Sequence, residues 1–282
     1  MTTTPAPLSV VVLTFNEERN LPACLASVAG WAAEVFVVDS GSVDQTVALA
    51  TAHGASVVTH PFETHARQWA WALGNLPLKT EWVLALDADQ QVTPELRRDI
   101  SRALASPASA AAGYFLNRRQ VFRGRWIRHG GYYPKYLLKL FRRDAVSLDV
   151  RDLVDHHFQV AGATARLSGD LIEDNRNEAA IFDWIAKHNR YARLQASEEL
   201  ARLNGSSDRG QWLGNPDEQT RRRKALWARM PGYARPLGYF LYRYVLRLGF
   251  LDGKQGFVFH FMQAWWYRLL VDINIDELRK AR

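Results

Sequence analysis

The chain of 282 residues holds a single cysteine, Cys24. One thiol excludes an intramolecular disulfide framework and any zinc site built on cysteines. Cys24 lies in Leu21-Pro-Ala-Cys-Leu-Ala-Ser-Val, an amphipathic helix pattern, and reads as a small core residue. No Gly-x-Gly-x-x-Gly or P-loop sequence follows any predicted strand, which argues against a dinucleotide oxidoreductase and a P-loop enzyme. The N-terminal Met1-Thr-Thr-Thr-Pro-Ala-Pro carries neither a basic segment nor an apolar core, so no secretory signal is expected. Repeats and low-complexity tracts are absent as well. Negative charge is scarce at one end only: from Arg221 to Arg282 there are 13 Lys/Arg against 4 Asp/Glu, whereas residues 1–220 carry 23 against 25. A basic appendage on a near-neutral body argues against nucleic acid as the partner.

With 48% hydrophobic residues the chain has ample material for a core. Its first hundred residues alternate strand and helix. Strands are expected at Leu8–Thr14, Glu34–Asp39, Ala55–His60 and Trp82–Asp87. Helices are expected over about 18–29, from a capping box at Ser42-Val-Asp-Gln45 to Gly54, and over His65–Gly74. Such alternation implies an α/β fold, with a mainly parallel sheet covered by helices on both faces. Trp82-Val-Leu-Ala-Leu-Asp87-Ala-Asp89 is the most informative segment. A strand buried on both faces does not hold free carboxylates, so Asp87 and Asp89 belong where the strand emerges. Ligands bind at the carboxyl ends of strands in open α/β sheets. Two hard oxygen ligands on one turn suit Mg²⁺ or Mn²⁺ shared with a substrate diphosphate. The following helix takes its cap and first turn from Thr93-Pro94-Glu95. Thr14, Asp39 and Asp87 end three strands and are expected to line one crevice.

Beyond Pro107 the pattern changes. Gly113–Asn117 and Tyr136–Phe141 read as strands around an aromatic and basic loop, Phe122–Tyr133. Glu178 to about Leu203 reads as a long helix with Phe182, Ile185, Tyr191 and Leu194 among its apolar positions. The Gly-, Ser- and Pro-containing stretch 205–220 reads as a linker between a catalytic domain, 1–204, and a basic aromatic helical region, 221–282. In that last region the longest uncharged stretch, Gln255–Tyr267, falls short of the roughly 20 residues that span a bilayer. Apolar helices rich in Trp, Tyr and Arg suit a membrane interface and an anionic lipid surface. The alternative is packing against the catalytic domain or a second subunit.

Thr14-Phe-Asn-Glu17, Asp39-Ser-Gly-Ser and Asp87-Ala-Asp89, in this order at three strand ends, resemble the inverting glycosyltransferases of family 2, which have the GT-A fold. Arg125-Trp-Ile-Arg-His-Gly-Gly-Tyr-Tyr-Pro134, Lys187-His-Asn-Arg-Tyr-Ala192 and Gly249-Phe-Leu-Asp-Gly-Lys-Gln-Gly256 resemble bacterial members that build lipopolysaccharide core or exopolysaccharide. The resemblance implies that Thr14, Glu17 and Asp39 line the nucleoside pocket of a UDP- or GDP-sugar donor. It also implies that Arg67 lies near the nucleotide, and that Asp87 and Asp89 hold the nucleotide and a divalent Mg or Mn. Arg67 reads equally well as a solvated helix charge. The family's general base aligns with Val154-Asp155-His156-His157, where a carboxylate is usual at the position of His156. Asp155 as base, His156 as base, and an impaired site acting as a nucleotide-sugar-binding scaffold all stay open. A nucleotidyltransferase would need a glycine-rich basic loop after the first strand, and Phe15-Asn-Glu-Glu supplies none. His129, Tyr132 and Tyr133 are candidates for contacts to a lipid-linked acceptor. The implied workplace is the cytoplasmic face of the bacterial inner membrane, with the protein peripheral to it.

Overall fold

Valine-rich segments that alternate across the pleat build the centre of the sheet. The computed structural model describes residues 5–106, 111–150, 157–204 and 230–281. Strands β1 (Ala6–Thr14), β2 (Ala32–Asp39), β3 (Ser56–Thr59) and β4 (Trp82–Asp87) run parallel in the order β3-β2-β1-β4. Both faces are covered. Val10, Val12, Leu84 and Leu86 point to one side, against Leu21, Cys24 and Leu25 of helix α1 (Leu21–Ala26) and Leu96 and Ile100 of helix α4 (Pro94–Ala105). Val11, Val83 and Ala85 point to the other, against Trp69 and Ala72 of helix α3 (His65–Asn75). The two-sided burial explains why these strands read as continuous apolar runs. Each fully buried large side chain, Trp69 and Leu84 among them, contributes roughly 1.5–3 kcal/mol of burial.

Helix boundaries follow local chemistry. Thr64 Oγ1 accepts from Arg67 N at 3.2 Å to start α3, and Thr93 Oγ1 accepts from Leu96 N at 3.2 Å to start α4, whose first residue is Pro94. The expected capping box at Ser42 does not form. Helix α2 (Thr46–Ala52) starts later, with the Asp44 carboxylate accepting from Thr46 N at 3.0 Å, because Ser42 is engaged by Asp39 instead.

Past β4 the sheet becomes mixed. Strand β5 (Gln90–Val92) precedes α4, and β6 (Ala111–Phe122) follows it. After a two-residue strand β7 (Arg125–Trp126), β8 (Tyr136–Arg142) lies antiparallel to both β4 and β6. A small ribbon joins β9 (Val146–Leu148) and β10 (Phe158–Val160). Then β11 (Ala163–Asp174) pairs parallel with β6 and antiparallel with β5.

The compact units do not divide at 204 and 221. One comprises Met1–Val121 with Tyr136–Asn177, the other Phe122–Lys135 with Glu178–Arg282. The expected linker, 205–220, lies outside the described residues. The long helix α5 (Ile181–Asn204) groups with the C-terminal helices α6 (Ala234–Leu241), α7 (Gly253–His260) and α8 (Tyr267–Lys280) because its small residues seat it on α8. Ala192, Ala196 and Leu200 pack on Tyr267, Val271 and Ile275. Phe182 and Leu194, expected on its apolar face, are 79% and 43% exposed, and Trp184 is buried in their place. A π-helical turn, Tyr242–Leu246, follows α6, and another, Phe261–Trp266, joins α7 to α8. No helix among the described residues is long and apolar enough to cross a membrane.

Two histidines in this unit are stored uncharged. His188 stacks on Trp184, and His260 is fully buried among Tyr132, Tyr244 and Phe259. Burial pushes both down to about 4, helped at His260 by the charge of Arg243. The unfolded chain takes up these protons near pH 6.5, ahead of the folded one, so stability is complete above that value and drains away as pH falls towards 4. His260 alone is worth on the order of 3 kcal/mol over this window. Denaturant melts of this unit are expected to weaken steadily from pH 7 to pH 4.5. A flat profile for a variant with both histidines replaced by Gln, against a falling one for the parent, checks the assignment.

Candidate functional site

The parallel register brings the strand ends together. Thr14 lies opposite Asp39 across β1 and β2, and Leu13 lies opposite Asp87 across β1 and β4. Thr14, Asp39 and Asp87 therefore occupy neighbouring positions on one edge, as the sequence led us to expect. Ser40 N donates to Thr14 O and His60 N to Asp39 O, which extends the edge to the end of β3.

Asp39 organises the loop that follows it. Its buried carboxylate accepts from Thr14 Oγ1 (2.9 Å), Ser42 Oγ (2.5 Å), Ser42 N (2.8 Å) and Gly41 N (3.0 Å). Four bonds occupy the acceptor sites of a carboxylate. A nucleotide base would contact Asp39 only in exchange for one of them. The loop after β1 is laced to the same segment. Asn16, in the left-handed region at φ 55°, donates its N to Ser42 Oγ and accepts from Val43 N on its side chain. Glu17 N donates to Thr46 Oγ1 at 2.7 Å, while the Glu17 carboxylate accepts from Asn20 Nδ2 (2.7 Å) and Asn177 Nδ2 (3.0 Å). Phe15 stands at the tip of β1 with 57% of its surface exposed.

Asp87 and Asp89 are half-buried on the turn between β4 and β5. The turn is braced from both sides. Gln90 Oε1 accepts from Asp87 N, Gln90 Nε2 donates to Glu173, and Asp174 N donates to Asp89 O. Glu173 is in turn paired with Arg118 at 2.9 Å. The surprise on this turn is Lys139 of β8, 4% exposed, whose ammonium donates to Asp87 Oδ2 at 2.8 Å. The signal was a lone lysine within the apolar strand Tyr136-Leu-Leu-Lys-Leu-Phe141. Arg67, the expected cation, lies on the first turn of α3 and pairs with Glu63 across an exposed surface.

Beneath this turn sits Cys24, with its Sγ 3.8 Å from Asp87 O. Burial pushes the thiol far up, and the carboxylates of Asp89, Asp87 and Glu17 push it further, with Lys139 acting in the opposite sense. The Asp87 and Asp89 carboxylates on this turn supply hard oxygens. Such hard oxygens fit Mg²⁺ or Mn²⁺. No group of three metal-binding side chains among the described residues forms a cage on its own. The donor set is the kind that leaves several positions for substrate phosphate and water, as Mg²⁺ sites commonly do.

Three of the remaining candidates, His129, Tyr132 and Tyr133, belong to the helical unit. Asp155 and His156 lie outside the described residues. His129 is anchored in the helical unit, its ring Nδ1 and its backbone N both bonded to the buried Asp252 carboxylate (2.7 and 2.9 Å). Tyr132 is 8% exposed and lies under the Arg243 guanidinium at 4.4 Å, and Tyr133 packs edge-on to Trp126.

Comparison with known proteins agrees with this geometry. Residues 9–161 match the family model described as "Glycosyl transferase family 2". An uncharacterized glycosyltransferase of Rickettsia bellii is 36% identical over 99 residues, 35% of this chain and 33% of the relative. The match thus spans about a third of the length of the rickettsial relatives. The lipopolysaccharide core biosynthesis glycosyltransferase LpsC of Rhizobium meliloti is 27% identical over 205 residues, 69% of this chain and 72% of LpsC. The mannosyltransferase PcManGT of Pyrobaculum calidifontis, solved with GDP-Man and Mn²⁺, superposes with a TM-score of 0.53 at 14% identity, over 97% of this chain and 88% of that one. The last likeness is one of fold, and the α/β architecture is the GT-A fold anticipated from the sequence. Matched by the family model over more than half of its length, the chain belongs to glycosyl transferase family 2.

Proposed function

We propose that the chain transfers a sugar from a UDP- or GDP-sugar to a lipid-linked glycan of lipopolysaccharide or exopolysaccharide, with inversion at the anomeric carbon. The observation that carries this reading is the convergence of Thr14, Asp39 and Asp87 at adjacent ends of parallel strands, with Asp89 one turn on. The GDP-Man and Mn²⁺ of PcManGT and the name of LpsC support the donor class and the acceptor class. In this reading the loops after β1 and β2 hold the nucleoside, and Asp87 and Asp89 hold a divalent cation, Mg²⁺ or Mn²⁺. That cation, when bound, offsets the negative charge that builds on the departing diphosphate. Asp155 or His156 takes the proton of the attacking acceptor hydroxyl, as a single displacement requires.

The helical unit supplies the place of work in this proposal. Among described residues 230–257 the large apolar side chains Leu237, Leu241, Val245, Leu246, Leu248 and Leu251 are exposed, Leu246 by 73%. The exposed charges of the same stretch, Arg247 and Lys254, are both positive, whereas its one acid, Asp252, is buried on His129. An apolar surface rimmed by cations suits the interface of an anionic leaflet. We assign the protein on this ground to the cytoplasmic face of the inner membrane, as a peripheral protein.

One assay tests both parts. The full chain is incubated with a panel of UDP- and GDP-sugars, Mn²⁺ or Mg²⁺, and vesicles of anionic or zwitterionic lipid carrying lipid-linked glycan. Release of nucleoside diphosphate from one donor, abolished by EDTA, together with sedimentation on anionic vesicles alone, is the expected result. A folded protein that binds a donor yet releases nothing is a scaffold and not a transferase. Equal recovery with both vesicle types, or with neither, removes the anionic membrane from the proposal.

A further inference from the structure

Lys139 carries more charge than its surroundings use. A lysine ammonium has three N–H donors, and Asp87 takes one of them. Burying an ammonium is expensive, and a single carboxylate whose own side chain is 35% exposed offsets that expense poorly. A position of this kind inside an apolar strand is better filled by leucine unless the charge is needed. The strand end also gathers negative charge. Asp87 and Asp89 lie two residues apart on the turn that leaves β4, and the Lys139 ammonium is held there by Asp87. The antiparallel register of β8 on β4, with Leu140 opposite Leu84, fixes the lysine alongside the last residues of β4. It therefore belongs to the edge where a ligand of a parallel sheet binds.

We propose that Lys139 is a donor-binding residue: held by Asp87, its ammonium bonds the diphosphate of the nucleotide sugar directly. The inference rests on the nucleotide-sugar reading of this site. It gives the anionic leaving group a cation built into the protein, in addition to the divalent ion. It also explains why one carboxylate of the Asp87-Ala-Asp89 turn is tied to a lysine. Asp87 positions the ammonium and shares the metal, and Asp89 is left as the metal's chief protein ligand.

Calorimetric binding of UDP, GDP, uridine and guanosine to the full chain tests it, with Mn²⁺ and with EDTA. With Mn²⁺, one diphosphate is expected to bind. In EDTA that diphosphate is expected to keep an advantage of about tenfold or more over its own nucleoside, the increment of a charge-assisted contact. Lys139→Met is expected to erase the metal-free advantage and leave nucleoside affinity unchanged, with Lys139→Gln as the polar, uncharged counterpart. Lys139→Arg keeps part of it. Equal affinity of the parent protein for diphosphate and nucleoside in EDTA overturns the proposal without any variant. So does a folded Met or Gln variant that keeps the advantage, or one that loses nucleoside and diphosphate affinity alike. Metal-dependent diphosphate binding combined with any of these results leaves the nucleotide-sugar reading standing. Absence of all nucleotide binding to the parent sinks both.

Discussion

Asp89→Ala is expected to cut sugar transfer by about 10³-fold at saturating Mn²⁺, because a metal in this position is worth several kcal/mol and each 1.36 kcal/mol is tenfold in rate. Asp87 and Asp89 follow each other on one turn, but their surroundings differ. Asp87 gives one oxygen to Lys139, and its backbone N is held by Gln90. Asp89 is fixed through its carbonyl by Asp174 N, which sets the backbone of the turn. In the proposed reading Asp89 holds the metal, and removal of its carboxylate leaves the bonds of Asp87 N and of the Asp89 carbonyl in place. Nucleoside affinity is expected to stay within about twofold, since Thr14 and Asp39 are held by each other and by Gly41 and Ser42. Asp87→Ala is expected to damage binding as well as rate, because it also strands a buried ammonium. Nucleoside diphosphate release and calorimetry read the two effects separately. An Asp89→Ala protein that retains a tenth of parental turnover contradicts the assignment.

Gly130→Ala is expected to cost more than 4 kcal/mol and to unfold the helical unit at moderate temperature. Gly130 has φ 69°, a conformation that already strains alanine by about 1 kcal/mol. A Cβ at this position would lie 2.5 Å from His260 Nε2 and 2.9 Å from Nδ1. His260 has nowhere to go. Its other side meets Gly249, where a Cβ would lie 2.6 Å from Nε2 and 2.9 Å from the Arg243 carbonyl. The loop is also clamped through its backbone, since Gly130 N donates to Arg247 O and Arg243 Nη1 donates to Gly130 O at 2.7 Å. The remedy identifies the cause. Adding His260→Ala removes the ring and should recover a good part of the loss, although a cavity remains. Thermal melts of the two single variants and the double variant check this, and strictly additive losses would rule the clash out.

The same two motifs, His129-Gly-Gly and Gly249-Phe-Leu-Asp-Gly, show what a linear reading leaves out. As isolated signatures they carried a resemblance to bacterial members that build lipopolysaccharide core or exopolysaccharide, and His129 in the first was a candidate acceptor contact. The structure joins them through His129–Asp252 and Gly130–His260, contacts between residues more than 120 positions apart that no periodicity announces. Local signals fared better. Trp82–Asp87 has its expected bounds, α3 starts at His65, and Thr93 caps α4, because apolar runs and caps are decided by neighbours in sequence. Ser42 misled for a similar reason. Its capping geometry was legible, but the stronger acceptor at Asp39 was close enough to claim it. Lys139 was passed over because its worth depends on an antiparallel neighbour, β4, more than fifty residues upstream. Asp155 and His156 remain known from the chain alone.

The crosswise bonding of the first two loops has a consequence for how this site can diverge. Asn16 reaches Ser42 and Val43, and Glu18 accepts from Gln45 N while giving its own N to Asp44. Neither loop can be redesigned alone, since a substitution in one strands a donor or acceptor in the other. New donor preferences should thus arise in lineages through paired replacements, one in Thr14–Glu18 and one in Asp39–Thr46, inherited together as a single cassette.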